Sequence, residues 1–212
     1  MGQKRLEKAV HDFTEEAASC DTGSKVLVEW KPYQIDPGTK LTGEPFEAYC
    51  KRRWGNSDWT DRLRATGTPE GATFGNWQWW PNTLKGHQWI LYGKEKHNAD
   101  TSKANALLFK ALYEDGENLS ETNTLVKLAA EEFPDWNSDD LREFLDDNKG
   151  VMEVQQEIRS GRERFGIKGV PFFIVGKDND ESSSSNKRPY AFSGAQQSET
   201  FVKLFRELSE QE

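Results

Sequence analysis

The 212-residue chain carries two cysteines, Cys20 and Cys50, 30 positions apart. Neither belongs to a Cys-x-x-Cys pair, and their spacing fits neither a redox dithiol nor a zinc site. They read as unpaired thiols of a reducing compartment. Cys20 falls just past a first helix and Cys50 inside a later one, so their Cα atoms are expected to lie beyond disulfide reach. Of the three histidines, His11 and His97 are flanked by charges and read as surface. His87 follows the aromatic stretch Phe74-Gly75-Asn76-Trp77-Gln78-Trp79-Trp80-Pro81. It reads as a hydrogen-bonded structural residue, with an acid–base role as the alternative. The stretch itself has two open uses: Trp79 and Trp80 can line an apolar groove, or the rings can fill a core. No metal constellation is present. Asn118-Leu119-Ser120 has the form of a glycosylation sequon but lacks a secretory context.

Composition narrows the partners. A net charge of -8 disfavours phosphate backbones and anionic lipid. The short basic runs Gln3-Lys4-Arg5 and Lys51-Arg52-Arg53 read as solvated helix faces. No apolar run approaches the roughly 18 residues of a membrane span, and Met1 to Val10 is too charged for a signal peptide. Neither nucleic acid nor membrane is expected as a partner, and a cytoplasmic setting is. Twelve Phe, eight Trp and five Tyr supply the bulky surface from which a core can be built.

The elements follow from periodicity. Leu6, Val10, Phe13 and Ala17 recur at helical spacing and predict an amphipathic helix over residues 2–18. Asp21 to Ser24 turns the chain, and Val26, Val28 and Trp30 alternate as in a strand over 25–30. From 44 to 165 the pattern is helical, over roughly 44–54, 57–65, 83–97, 100–115, 120–132, 138–147 and 151–165. Ser57, Asn82 and Ser138 read as caps, and Ser120 sits near another start. Gly169 to Gly176 encloses an apolar run that predicts a buried strand. Residues 177–188 read as a long hairpin loop and 189–192 as a second strand. A closing helix places Phe201, Leu204, Phe205 and Leu208 on one face.

This order resembles the DsbA-like thioredoxin fold, and particular segments carry the resemblance. Gly2-Gln3-Lys4-Arg5-Leu6-Glu7-Lys8-Ala9 is similar to the helix that follows Cys-x-x-Cys in that family. Trp30-Lys31-Pro32-Tyr33-Gln34-Ile35-Asp36-Pro37 resembles the end of its second strand. Gly166-Ile167-Lys168-Gly169-Val170-Pro171-Phe172-Phe173 matches the segment bearing its cis-proline, and Ser193-Gly194-Ala195-Gln196 its last turn into a helix. The subgroup is that of the FrnE-like oxidoreductases, with 2-hydroxychromene-2-carboxylate isomerase and kappa-class glutathione transferase as more distant relatives.

The resemblance implies an α/β fold: a thioredoxin-like sheet with a large all-helical insertion, its first strand missing. Residues 1–42 and 166–212 would form the thioredoxin-like core and 43–165 the insertion. With that strand absent, the strand at 25–30 and the strand at 171–175 would each lack a neighbour. The function implied is thiol–disulfide exchange, but the dithiol is not in this chain, so no catalytic residue is assigned and the chain as written is expected to be redox-inactive. The alternative is a non-catalytic module that binds a peptide or small molecule, and a weaker one is an isomerase or glutathione-dependent transferase. Val170, Pro171, Trp79, Trp80 and His87 are the candidate substrate-binding residues, with a cis bond expected before Pro171. The expected partner is a peptide or small-molecule thiol or disulfide. No cofactor is expected, glutathione being the one candidate.

Overall fold

The computed structural model describes residues 1–19, 24–177 and 189–210. Cys20, with the question of its pairing, and most of the loop expected at 177–188 lie outside the described residues. The chain divides into two compact units: Met1–Val28 with Ile167–Glu212, and Glu29–Gly166.

In the first unit, α1 (Gly2–Ser19) buries Leu6, Ala9, Phe13 and Ala17, the apolar face that periodicity requires. Strand β3 (Phe172–Val175) pairs antiparallel with β4 (Tyr190–Ser193), setting Phe173 opposite Phe192. Helix α9 (Ser198–Ser209) closes the unit. Its Phe205 meets Phe13 edge-on at 5.6 Å, and its Phe201 meets Phe173 at 4.8 Å. These rings form the unit's core, each buried to 8 % exposure or less.

The strand expected at 25–30 is not formed. Those residues run without regular structure and make no backbone–backbone hydrogen bond among the described residues. The alternation survives: Val26, Val28 and Trp30 are half-buried, while Lys25, Leu27 and Glu29 are exposed. A strand needs a neighbour as well as a pattern. Among the described residues the only strand paired with β3 is β4.

The second unit is helical. After the two-residue strand β1 (Glu44–Pro45) come α2 (Phe46–Trp54) and α3 (Trp59–Gly67). A 3-10 turn at Thr68–Glu70 leads to β2 (Trp79–Trp80), which pairs antiparallel with β1. Five helices follow: α4 (Leu84–His97), α5 (Thr101–Tyr113), α6 (Thr122–Glu132), α7 (Ser138–Asp146) and α8 (Val151–Phe165). Each lies within a few residues of its expected span.

The caps differ in detail. Asn137, rather than Ser138, caps α7 by accepting from the amides of Asp139 and Asp140. Asp58 precedes α3 without a side-chain cap, and the Ser57 hydroxyl turns instead to Glu47. Asn82 Oδ1 accepts from the Leu84 amide at 3.1 Å. Ser120 is not a cap: its hydroxyl accepts from the Asn82 amide at 2.8 Å.

His97 is likewise no surface residue. It is half-buried, its ring 5.4 Å from that of Trp136 and nearly parallel to it.

Candidate functional site

Three segments singled out by the resemblance meet in the first unit. A Cβ placed on Gly2 would stand 2.9 Å from Pro171 Cγ, so the first turn of α1 lies directly against the Pro171 loop. The Pro171 carbonyl accepts from the Gly194 amide at 2.8 Å, which ties the loop to the turn after β4. Buried Arg5 completes the triangle, donating from Nη1 to the Ala195 carbonyl at 2.6 Å. The Val170–Pro171 peptide bond is cis. Val170 is 46 % exposed and Ile174 41 %, leaving an apolar strip along the loop and β3.

The chemistry of this corner is that of a positive helix end. The first amides of α1 have no intrahelical acceptor, and the first turn carries no acid. Such an end favours an anion and lowers the pKa of a thiol placed beside it. No cysteine of this sequence is placed there by the described residues: Cys50 lies in α2, fully buried. Burial pushes the Cys50 thiol up, against a hydrogen bond from Trp59 that lowers it. That is the opposite of an activated nucleophile.

Trp79, Trp80 and His87 belong to the second unit. Trp80 stacks on Tyr49, centroids 4.0 Å apart, and donates from Nε1 to Thr39 Oγ1 at 3.2 Å. The Trp79 carbonyl accepts from Trp77 Nε1 at 2.8 Å. Trp77 itself is buried, stacked on Phe46 at 4.2 Å and edge-on to Tyr113 at 4.8 Å. Phe74 and Trp77 therefore fill a core, while Trp79 and Trp80 are half-buried at its margin.

His87 Nε2 lies 3.1 Å from the Tyr33 carbonyl. A carbonyl can only accept, so Nε2 carries the proton. Burial, partly opposed by this bond, pushes the His87 pKa down to about 4. The ring is a neutral clamp on an irregular segment whose other carbonyls are held similarly. Arg162 donates to Gln34, Asn82 to Thr39 and Asn118 to Thr42. A loop laid over helices must have its backbone groups satisfied by side chains. Asn118 is thereby spent on the fold, and at 7 % exposure its sequon is no surface acceptor.

Among the described residues no group of three His, Cys, Asp or Glu side chains could hold a metal ion, and no helix is long and apolar enough to cross a membrane.

The family model of the DSBA-like thioredoxin domain matches residues 1–206. The chain belongs to that family. Among solved structures it is similar to a probable DsbA oxidoreductase from Streptomyces coelicolor, with a TM-score of 0.74 over 100% of this chain and 84% of that one. The two are 23% identical, a likeness that shows the fold. No curated protein matches the chain. The fold is thus DsbA-like, helix-rich and with few strands, as an α/β core carrying a helical insertion requires.

The surface corner at Gly2, Pro171 and Ala195 was legible only through family segments. Nothing in local periodicity places residues 190 positions apart together.

Proposed function

We propose that this chain binds thiol- or disulfide-bearing substrates of the kind its family acts on, receiving an extended polypeptide at the corner formed by the first turn of α1, Val170–Pro171 and the outer side of β3. The observation that carries the reading is the close approach of Gly2 to Pro171, which sets an acid-free helix end against an exposed apolar loop. Among the described residues β3 pairs on one side only, with β4, so its other edge offers backbone groups to an extended segment. The helix end favours a thiolate over a thiol.

Exchange itself requires a thiolate to attack a disulfide and a second thiol to resolve the mixed disulfide. The 212 residues contain no Cys-x-x-Cys. The proposal is therefore that this polypeptide binds such substrates without turning them over, in a reducing intracellular setting. A peptide, or a small disulfide such as that of glutathione, is the substrate class. Neither metal nor nucleic acid has a part in the scheme.

The test is an NMR titration of the 15N-labelled chain with an extended peptide whose single cysteine is capped as a mixed disulfide. Amides of 169, 170, 172–174 and 2–5 are expected to shift together. Shifts confined to the second unit would contradict the reading.

A further inference from the structure

Four donors converge on one carboxylate at the end of α5. The amides of Thr73 and Phe74 donate to Glu114 Oε1 at 3.1 and 2.9 Å. The Gly75 amide donates to Oε2 at 3.2 Å, and the Thr73 hydroxyl to the same oxygen. Successive amides aimed at one anion make a nest. Here the anion comes from a residue 40 positions along the chain.

The loop does not take this shape cheaply. Phe74 has φ 52, in the left-handed region that bulky residues rarely enter. Its ring is buried, edge-on to Tyr113 at 5.0 Å and beside Trp77 at 6.1 Å. Trp77 in turn stacks towards Phe46 and Trp80. The Glu114 carboxylate thus fixes the segment that closes the aromatic core.

We propose that Glu114 is an acid-operated latch: ionised, it holds residues 73–75 closed over the aromatic cluster, and protonation releases Phe74 and Trp77 towards solvent. Hydrogen bonds to a charged acceptor are roughly twice as strong as neutral ones. A protonated carboxyl also turns one oxygen into a donor facing donors.

The surrounding charges leave the amides as its main partners. Arg64 of α3 is spent on the Phe74 carbonyl. On α5 and just beyond it, Lys110 is held by Asp115 at 2.6 Å, and Glu117 faces Lys127 at 3.7 Å. Burial pushes the Tyr113 phenol up to about 12, so it stays neutral. Burial works to raise the Glu114 pKa, but bonds from Thr73, Gly75 and Phe74 outweigh it and hold the carboxyl below its ordinary 4.5. A depressed folded-state value means that the latch is complete above that ordinary value and lost as pH falls through the folded one.

In the wild-type chain the amide protons of Thr73, Phe74 and Gly75 are expected to titrate together, with one midpoint below 4.5. The near-UV circular dichroism of the tryptophans falls in that transition while the far-UV helix signal persists. Glu114→Gln shows the acid-form near-UV spectrum already at pH about 7, and added formate restores the neutral spectrum of Glu114→Ala. Amides that stay flat on acidification, a midpoint at or above 4.5, or helix signal lost in the same transition would each overturn the proposal. A Glu114→Gln spectrum indistinguishable from wild type would do the same. The wild-type titration decides the matter even if a variant fails to fold.

Discussion

Two glycines of α4 predict opposite outcomes for the same substitution. Alanine in a helix interior is favoured over glycine by about 1 kcal/mol, and both Gly86 and Gly93 lie inside α4. At Gly86 the nearest atom to an added Cβ is Leu108 Cδ1 at 3.7 Å, an ordinary contact. Gly86→Ala should therefore stabilise by about 0.5–1 kcal/mol. At Gly93 the added Cβ would meet Trp136 Cη2 at 2.3 Å and Cζ2 at 2.4 Å. That ring cannot step aside. It is 6 % exposed, stacked on Phe133 at 4.5 Å, and contacts Trp89 at 4.9 Å. Overpacking typically costs about 1–3 kcal/mol, occasionally more, and a contact this short belongs at or beyond the upper end. After the propensity gain, Gly93→Ala should lose about 2 kcal/mol. With a urea slope of about 2 kcal/mol/M, the midpoint falls by about 1 M for Gly93→Ala and rises by about 0.3–0.5 M for Gly86→Ala. Urea melts followed by circular dichroism read both. A Gly93→Ala protein as stable as wild type would refute the packing assigned to Trp136.

Asn137→Ala removes the acceptor for the Asp139 and Asp140 amides and should cost about 1 kcal/mol in the same melts. Ser138→Ala should be nearly silent, and a reversal of the two would show that the cap is misassigned. His87 should remain neutral until pH about 4 when its ring carbons are followed by NMR. Its folded pKa lies below the unfolded value of about 6.5. Its contribution to stability is therefore full above about 6.5 and lost as pH falls towards the folded value. Titration of the His87 ring near 6.5 would show that the ring is not buried as described.

Helices were legible because their period is local. Leu6, Phe13 and Ala17 mark the buried face of α1, and Phe201 with Phe205 marks that of α9. What escaped the sequence depended on a distant partner. Residues 25–30 carry a strand's alternation, but pairing decides whether a strand forms. Ser120 has a capping residue's chemistry, yet its hydroxyl is taken by the Asn82 amide, 38 positions away. His97 has charged neighbours in sequence and the Trp136 ring in space. Glu114, one acid among many, becomes an anchor only because Thr73 to Gly75 are brought to it. At the candidate corner, Val170 and Pro171 were recognisable from the family segment. The contact of Gly2 with Pro171, and of Arg5 with Ala195, is a matter of tertiary structure.

The most direct test of the proposed function is insulin reduction by the 212-residue chain in the presence of dithiothreitol. With no vicinal dithiol to form and resolve a mixed disulfide, the rate should equal that of dithiothreitol alone, and replacing Cys20 or Cys50 should change nothing. Turnover well above that background, abolished by either replacement, would contradict the account.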